Sequence, residues 1–315
     1  MAFLDSAAIS GPQPLLRPKM PELDCVRGVA ILMVLFYHGF ATRQELTAFS
    51  GLPKLVVCLA SPGWTGVNLF FALSGFLITG ILLDSKPNPH YYRRFYVRRA
   101  LRILPAYYAL LLALAILGSY GVQDQQVSWA FLGLSAIYLA NVTVLFGVPI
   151  QFGILWSLAV EEHFYLFWPV IVRNANRRSV GVYAAVIATA AALARILTWR
   201  LGYDYFAHYT WLVADGLALG SLLAVLLRGP LGTRRGLHFI LLGALAGAIA
   251  LVGFDIPFHR PLAGGALHIS ALNLVCSAAV GAAPLLAQAP GAFLAAFEPS
   301  GSSARSAMAS TSSTC

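Results

Sequence analysis

Leu23-Asp-Cys-Val-Arg-Gly-Val-Ala-Ile-Leu-Met-Val-Leu-Phe-Tyr-His-Gly39 is an apolar run of bilayer-spanning character with an ionisable residue toward each end, Arg27 and His38. At about 1.5 Å rise and 100° per residue, the eleven steps between them amount to roughly 16 Å and a net turn of about 20°. The two side chains therefore share one face of a helix. Titratable groups at membrane depth are costly and turn toward a protein-lined cavity, so a shared face predicts a polar track leading inward from Arg27. On these two residues alone, a basic anchor at one interface and an interfacial histidine at the other remains an equal alternative.

The rest of the chain agrees with a membrane setting. Of its 315 residues, 59% are hydrophobic and 10% charged, and the mean hydropathy is +0.75, too apolar for an ordinary soluble domain. The net charge of +9 comes from Lys and Arg that fall mostly between apolar runs, where they orient helices and meet anionic lipid. Nothing in that pattern argues for nucleic acid. Cys25, Cys58, Cys276 and Cys315 are scattered, with no Cys-x-x-Cys pair and no histidine at ligand spacing, so neither a disulfide framework nor a metal site is expected. The N-terminal segment 1–20 runs into a long apolar stretch without a small-residue cleavage site, which predicts a retained first helix.

Apolar runs of spanning length fall at 25–41, 63–83, 101–118, 129–147, 155–172, 180–199, 209–228, 237–254 and 263–288. The fold class expected is all-α: a polytopic integral membrane protein of about eight to nine transmembrane helices, with a candidate re-entrant segment at 129–147. The loop 84–102 carries Lys86, Arg93, Arg94, Arg98, Arg99 and Arg102, which places it and the N-terminus in the cytoplasm. If 129–147 does not cross, Arg173, Arg177, Arg178, Arg228, Arg234 and Arg235 join the same side, and the segregation of basic residues sharpens. That topology has eight crossings and both termini inside. No internal repeat is visible, and the Ser/Ala-rich tail 289–315 is expected to be disordered.

Several polar groups interrupt the apolar runs. Gly66, Ser74 and Gly75 read first as small residues that let a neighbouring helix approach. Arg99 and Arg102, three apart, stand on one face of a helix end, suited to clasping a phosphate or simply to orientation. In Trp156-Ser-Leu-Ala-Val-Glu-Glu-His-Phe-Tyr165, Glu161, Glu162 and His163 lie within an aromatic-rich helix where orientation does not require acidic groups. One carboxylate could hold a histidine's tautomer, or pair with Arg27 or Arg195. Asp215 intrudes near another helix end, with solvent exposure as likely a setting for it as any other.

Taken in order, Glu22-Leu-Asp-Cys-Val-Arg-Gly-Val-Ala with His38, Gly66-Val-Asn-Leu-Phe-Phe-Ala-Leu-Ser-Gly-Phe-Leu-Ile-Thr-Gly80, Arg98-Arg-Ala-Leu-Arg-Ile-Leu-Pro105 and the Trp156–Tyr165 stretch strongly resemble the membrane acyltransferase-3 family, over about residues 21–224. The resemblance implies an integral-membrane O-acyltransferase that moves an acyl group, commonly acetyl, from cytoplasmic acyl-CoA to a hydroxyl on a cell-surface carbohydrate, lipid-linked sugar or glycoside. It implies a multi-pass location in the inner (plasma) membrane, an acyltransferase domain over 21–288, and acyl-CoA as co-substrate with no bound cofactor. By position, His38 and Glu161 are the implied catalytic residues and Arg27, Arg99 and Arg102 the implied acyl-donor ligands. Asp24, Trp156, Ser157 and Tyr165 are carried with them as supporting residues. The chemistry fits the types: a hydroxyl needs a positioned base, for which a neutral imidazole serves, and arginines can hold the polyanionic head of the donor. The expectation is that His38 deprotonates the acceptor or transiently carries the acyl group, with Glu161 fixing it and Arg27, Arg99 and Arg102 engaging the donor.

Two departures stand out. Asn68 occupies a position where the family usually has Asp, and the family's closing helix, with its Gly-x-x-Ser-Tyr wording, is replaced by the Ser-rich tail, which suggests truncation or a shifted frame after Arg260. The competing function classes are a transporter or flippase, disfavoured by the lack of an inverted repeat, and an inactive homologue.

Overall fold

A computed structural model describes residues 20–41, 50–119, 127–202, 208–255 and 267–288. Every regular element among them is helical: α1 (Pro21–Phe36), continued by a π-helical turn (Tyr37–Ala41); α2 (Gly51–Ala60) with a 3-10 turn (Ser61–Thr65); α3 (Gly66–Ser85); α4 (Tyr91–Ser119); α5 (Trp129–Ala136) and a 3-10 turn (Thr143–Phe146); α6 (Leu155–Asn174); α7 (Arg177–Arg200); α8 (Thr210–Val213); α9 (Asp215–Leu227); α10 (Arg234–Asp255); and α11 (His268–Gln288). By length and composition, five stretches can cross a membrane: 21–40, 51–85, 91–117, 177–200 and 234–253. Two shorter apolar helices cover 215–227 and 268–284, and α6 is interrupted by Glu161, Glu162 and His163. The tail 289–315 and the segment 1–19 lie outside the described residues.

Three departures from the sequence pattern have local causes. An unanticipated helix, α2, precedes α3: Leu52, Leu55, Val56, Val57 and Leu59 sustain it, Pro53 is tolerated in its first turn, and Pro62-Gly63 tightens its end into the 3-10 turn. The third long helix, α4, begins at Tyr91, well before the apolar run starts, because Tyr91 and Phe95, one turn apart, are buried against Trp168, Val172 and Val180. The stretch 129–147 yields only the eight-residue α5, capped by Ser128 Oγ accepting from Phe131 N. At 1.5 Å per residue it is about 12 Å long, short of the roughly 30 Å hydrocarbon core.

The closest packing is between α3 and α9. A Cβ at Gly75 would lie 2.0 Å from the Leu217 carbonyl oxygen, and one at Gly220 would lie 2.0 Å from the Ala72 carbonyl oxygen. The two backbones touch where only glycine fits, as in small-residue packing of membrane helices. One apolar core, including Leu73, Phe76, Leu227, Leu237 and Val280, surrounds this seam and joins α1, α10 and α11 to it. A second joins α3, α4, α6, α7 and α9, and a third seats α5 on α4 and α6 through Tyr107, Leu111, Phe131 and Leu155.

The basic loops gather at one end. Arg228 makes a two-pronged pair with Asp84 (3.0 and 2.7 Å). Lys86 donates to the Ala175 carbonyl, Arg173 to the Lys86 carbonyl and Arg177 to the Arg228 carbonyl. These contacts put the α3–α4, α6–α7 and α9–α10 connections on the same side of the bundle. Gly63 abuts the Met33 carbonyl and Tyr37, so α1 runs antiparallel to α3, with His38 toward the opposite end.

Asp215 is not at a solvent-exposed position. It and Arg195 are 1% and 0% exposed and paired through both carboxylate oxygens at 2.5 and 3.1 Å, with Ser270 Oγ donating to Oδ2 at 2.8 Å and Arg195 also donating to the Leu212 carbonyl. Arg195 is therefore spent on α9 and α11, not on Glu161 or Glu162. Removing one partner strands the other charge in the core, which typically costs about 3–5 kcal/mol. Asp215→Ala should lose about that much stability in a thermal or denaturant melt of the detergent-solubilised protein; an unchanged melting point would show that the pair does not hold α7, α9 and α11 together.

Candidate active site

Glu161 lies on α6, 6% exposed, at the contact with α3 and α4. A buried carboxylate needs donors, and it has two: Ser74 Oγ at 3.1 Å on Oε1 and Tyr165 O–H at 2.9 Å on Oε2. Tyr165 follows Glu161 by one helical turn, so α6 itself brings phenol and carboxylate together. Both oxygens are engaged, and neither engages His38, so the expected Glu161–His38 pairing is not how this carboxylate is used. Ser74 is the partner of Glu161 that the sequence hid, since a serine in a glycine-rich stretch reads as a packing residue. The nearest signal was its position eight residues into the α3 run.

Above the same tyrosine lies Arg99 of α4, its guanidinium carbon 3.5 Å from the Tyr165 ring centroid and 5.8 Å from that of Phe95. It stands within electrostatic reach of Glu161 but forms no ion pair or hydrogen bond among the described residues. A guanidinium bound by its face keeps its in-plane N–H donors for another partner. Those donors border a pocket of about 300 Å³ at the basic end of the bundle, lined by Ser85, Asn88, Tyr91 and four arginines, Arg94, Arg98, Arg99 and Arg102. None of the four has a hydrogen-bonded or ionic partner among the described residues. The pair Arg99 and Arg102 thus share one pocket, and Arg94 and Arg98, which the sequence offered only as orienting charge, join them.

The α1 residues form a separate group. Arg27 pairs with Asp24 in the next turn, partly exposed. His38 Nδ1 lies 2.9 Å from the Val34 carbonyl, and its ring meets Tyr37 edge-on at 5.2 Å. Because a carbonyl only accepts, Nδ1 is the donor in this contact. From Gly63, level with Tyr37, to Ser74, level with Glu161, is on the order of 15 Å along the helix, which separates His38 from the carboxylate cluster. Trp156 packs edge-on against Phe71 at 5.9 Å and His208 at 5.1 Å, and Ser157 Oγ donates to the Ile154 carbonyl at 3.2 Å. Burial holds the His208 imidazole below the ordinary histidine value. His163 does not face Glu161; its Nδ1 is 2.7 Å from Thr210 Oγ1, which also accepts from Asn141 Nδ2 at 2.8 Å. Among the described residues no three His, Cys, Asp or Glu stand close enough to hold a metal ion.

Comparison with known proteins places this geometry in a family. The acyltransferase-3 model, described as an acyltransferase domain, matches residues 20–296. The chain is similar to the peptidoglycan O-acetyltransferase OatA of Listeria monocytogenes, 30% identical over 172 residues, covering 50% of this chain and 24% of that protein. It is similar to the putative peptidoglycan O-acetyltransferase YrhL of Bacillus subtilis, 32% identical over 193 residues, covering 57% of this chain and 26% of that protein. A putative O-acetyltransferase of Staphylococcus aureus is 30% identical over 169 residues, covering 49% of this chain and 24% of that protein. The chain thus spans about a quarter of the length of these relatives. No solved structure matches it.

A face-held Arg99 makes a specific demand on Tyr165. Cation–π contacts are worth about 0.5–2 kcal/mol, so Tyr165→Leu should weaken binding of inorganic pyrophosphate by roughly 2- to 30-fold, whereas Tyr165→Phe, which keeps the ring, should retain most of it. Equal loss in both variants, measured by calorimetry, would show that the ring face does not set the arginine.

Proposed function

The chain belongs to the acyltransferase-3 family, and from that membership we propose that it is a membrane O-acetyltransferase that takes an acetyl group from acyl-CoA and gives it to a hydroxyl of a cell-surface carbohydrate, lipid-linked sugar or glycoside. The single observation that carries the donor side is the pocket at the basic end, where four guanidiniums that make no hydrogen bond or ion pair among the described residues line one cavity. Coenzyme A is a polyanion, and arginine forks suit phosphate geometry. Arg99 and Arg102 hold its phosphates, with Arg94 and Arg98 beside them, and Arg27 adds positive charge from α1. Glu161 serves this site from below: it fixes the Tyr165 hydroxyl, and the Tyr165 ring fixes Arg99.

On the acceptor side the base is His38. Its Nδ1–H is directed to the Val34 carbonyl, which leaves Nε2 as the proton acceptor. The acceptor hydroxyl oxygen bonds to the thioester carbonyl carbon, its proton passes to His38 Nε2, the carbon–sulfur bond breaks, and the coenzyme leaves as its thiol after taking that proton. The names of two relatives make the glycan of peptidoglycan the first acceptor to try.

The membrane arrangement is part of the same proposal. Residues 21–288 form the acyltransferase domain between the segment 1–20 and the tail 289–315. The chain crosses the plasma membrane eight times, through α1, α3, α4, α6, α7, the α8–α9 unit, α10 and α11, while 129–147 lies at the outer face as a re-entrant or interfacial segment. The gathering of Lys86, Arg173, Arg177 and Arg228 at one end supports a cytoplasmic location for that end and for the N-terminus.

Purified protein in detergent should transfer labelled acetyl from acetyl-CoA to a glycan acceptor. General-base catalysis typically contributes 10²- to 10⁴-fold, so His38→Ala should lose roughly that factor in kcat. Full activity in correctly inserted His38→Ala protein would refute the base role, and absence of transfer by the wild type would refute the enzyme. A reporter fused after Arg178 should give a cytoplasmic signal; a periplasmic one overturns the eight-crossing topology.

A further inference from the structure

The connection from α5 to α6 carries more unspent polar groups than its packing explains. Within nine residues, Ser135 Oγ, Tyr138 O–H, Asn141 Oδ1 and Thr143 Oγ1 are all shielded from solvent and have no hydrogen-bond partner. Ser135, Asn141 and Thr143 are each 0% exposed. Buried polar groups are normally paired, and a cluster that is not is a net cost to the fold. The backbone adds to it: Tyr138 has φ +60°, the one non-glycine residue with positive φ among those described, in a region that L side chains rarely adopt.

This costly segment contacts its neighbours at several points. The Tyr138 ring stacks on Tyr107 at 4.4 Å, and Tyr107 O–H donates to the Ser135 carbonyl at 2.6 Å. The Tyr138 backbone is hydrogen-bonded to His163, whose other contact, Thr210, also receives Asn141 Nδ2. Beneath it lies Glu162, half-buried in α6, a carboxylate that makes no hydrogen bond among the described residues. It stands within electrostatic reach of Tyr107 and Tyr138 on one side and Arg99 on the other. A strained backbone, unspent hydroxyl and amide groups, and an unspent carboxylate within electrostatic reach of Tyr138 therefore occur together on this connection and the α6 turn against it.

We propose that Ser135, Tyr138, Asn141 and Thr143, with Glu162 below them, form the binding site for the acceptor, and that the acceptor is polyhydroxylated, a carbohydrate segment whose several hydroxyls pair with these groups together. A flat lipid alcohol or a small aliphatic alcohol would satisfy one of the five and leave the rest stranded, which is why the set points to a sugar. Ser135, Asn141 and Thr143 are buried as they stand, so binding at this site requires the segment to shift, and the strain at Tyr138 and the stranded groups favour that shift. This inference rests on the acetyltransferase reading for the meaning of the site, but its test does not require turnover.

The test measures binding of a β-1,4-linked N-acetylglucosamine tetramer, and separately of acetyl-CoA, to the full chain in lipid nanodiscs by calorimetry, with a thermal melt of each variant. A lost neutral hydrogen bond corresponds to about a 2- to 10-fold loss. Thr143→Val and Tyr138→Phe should each weaken tetramer binding by about that factor, leave acetyl-CoA binding unchanged, and keep or raise Tm, because the stranded group is gone. Glu162→Gln should weaken tetramer binding without changing Tm. Wild-type protein that does not bind the tetramer, variants that bind it as tightly as wild type, or a Thr143→Val protein with a lowered Tm would each overturn the proposal. Tetramer binding without acetyl transfer would refute the enzyme reading and leave this site standing.

Discussion

A carboxylate inside an apolar helix bundle has to be given donors or it will not stay charged, and how Glu161 meets that demand organises everything near it. It takes its donors from Ser74 and Tyr165 and not from an arginine. Arg99 is consequently left beside a ring and not against a carboxylate, with its planar edge still available. Had Glu161 captured Arg99 directly, the pocket would have lost one of its four cations to an internal salt bridge. Two hydroxyls spent on one carboxylate thus leave an electropositive cavity open at the basic end of the protein.

The bundle around this cluster separates charge along its length. Loops that carry Lys86, Arg173, Arg177 and Arg228 close one end through contacts to helix-terminal carbonyls and Asp84, so the chain ties its own positive residues together there. The far end is aromatic and hydroxylic, with Trp156, His208, Tyr138 and Thr210. An anionic donor and a hydroxyl-rich acceptor would approach such a molecule from opposite sides. The α3–α9 seam, where backbones touch at Gly75 and Gly220, and the buried Arg195–Asp215 pair give the frame the rigidity against which a strained segment can be held.

Much of the helical pattern was legible because long apolar runs favour helices: eight of the nine runs coincide with helices, five stretches among the described residues are long and apolar enough to span, and the doubtful 129–147 run folds into a helix too short to cross. The α2 helix was missed because its apolar residues precede Pro62-Gly63, which reads as a break and is in fact a tight 3-10 continuation. The arginine pair was legible from i, i+3 spacing. What could not be read was partner choice. Whether Glu161 meets a histidine, an arginine or a hydroxyl depends on which faces of α3, α4 and α6 oppose one another, and Asp215 looked ready for solvent until Arg195 and Ser270 closed over it from other helices. The family wording singled out a set of residues; only packing said which of them touch.

The central claim, that the arginine pocket takes the phosphate groups of an acyl donor, is tested most directly by a cryo-EM map of the full chain in nanodiscs with coenzyme A. The account predicts density for the phosphates within hydrogen-bonding distance of Arg99 and Arg102, with the Arg99 guanidinium still flat on the Tyr165 ring. Density for the coenzyme elsewhere on the protein, or an Arg99 that has swung down to pair with Glu161, would contradict it.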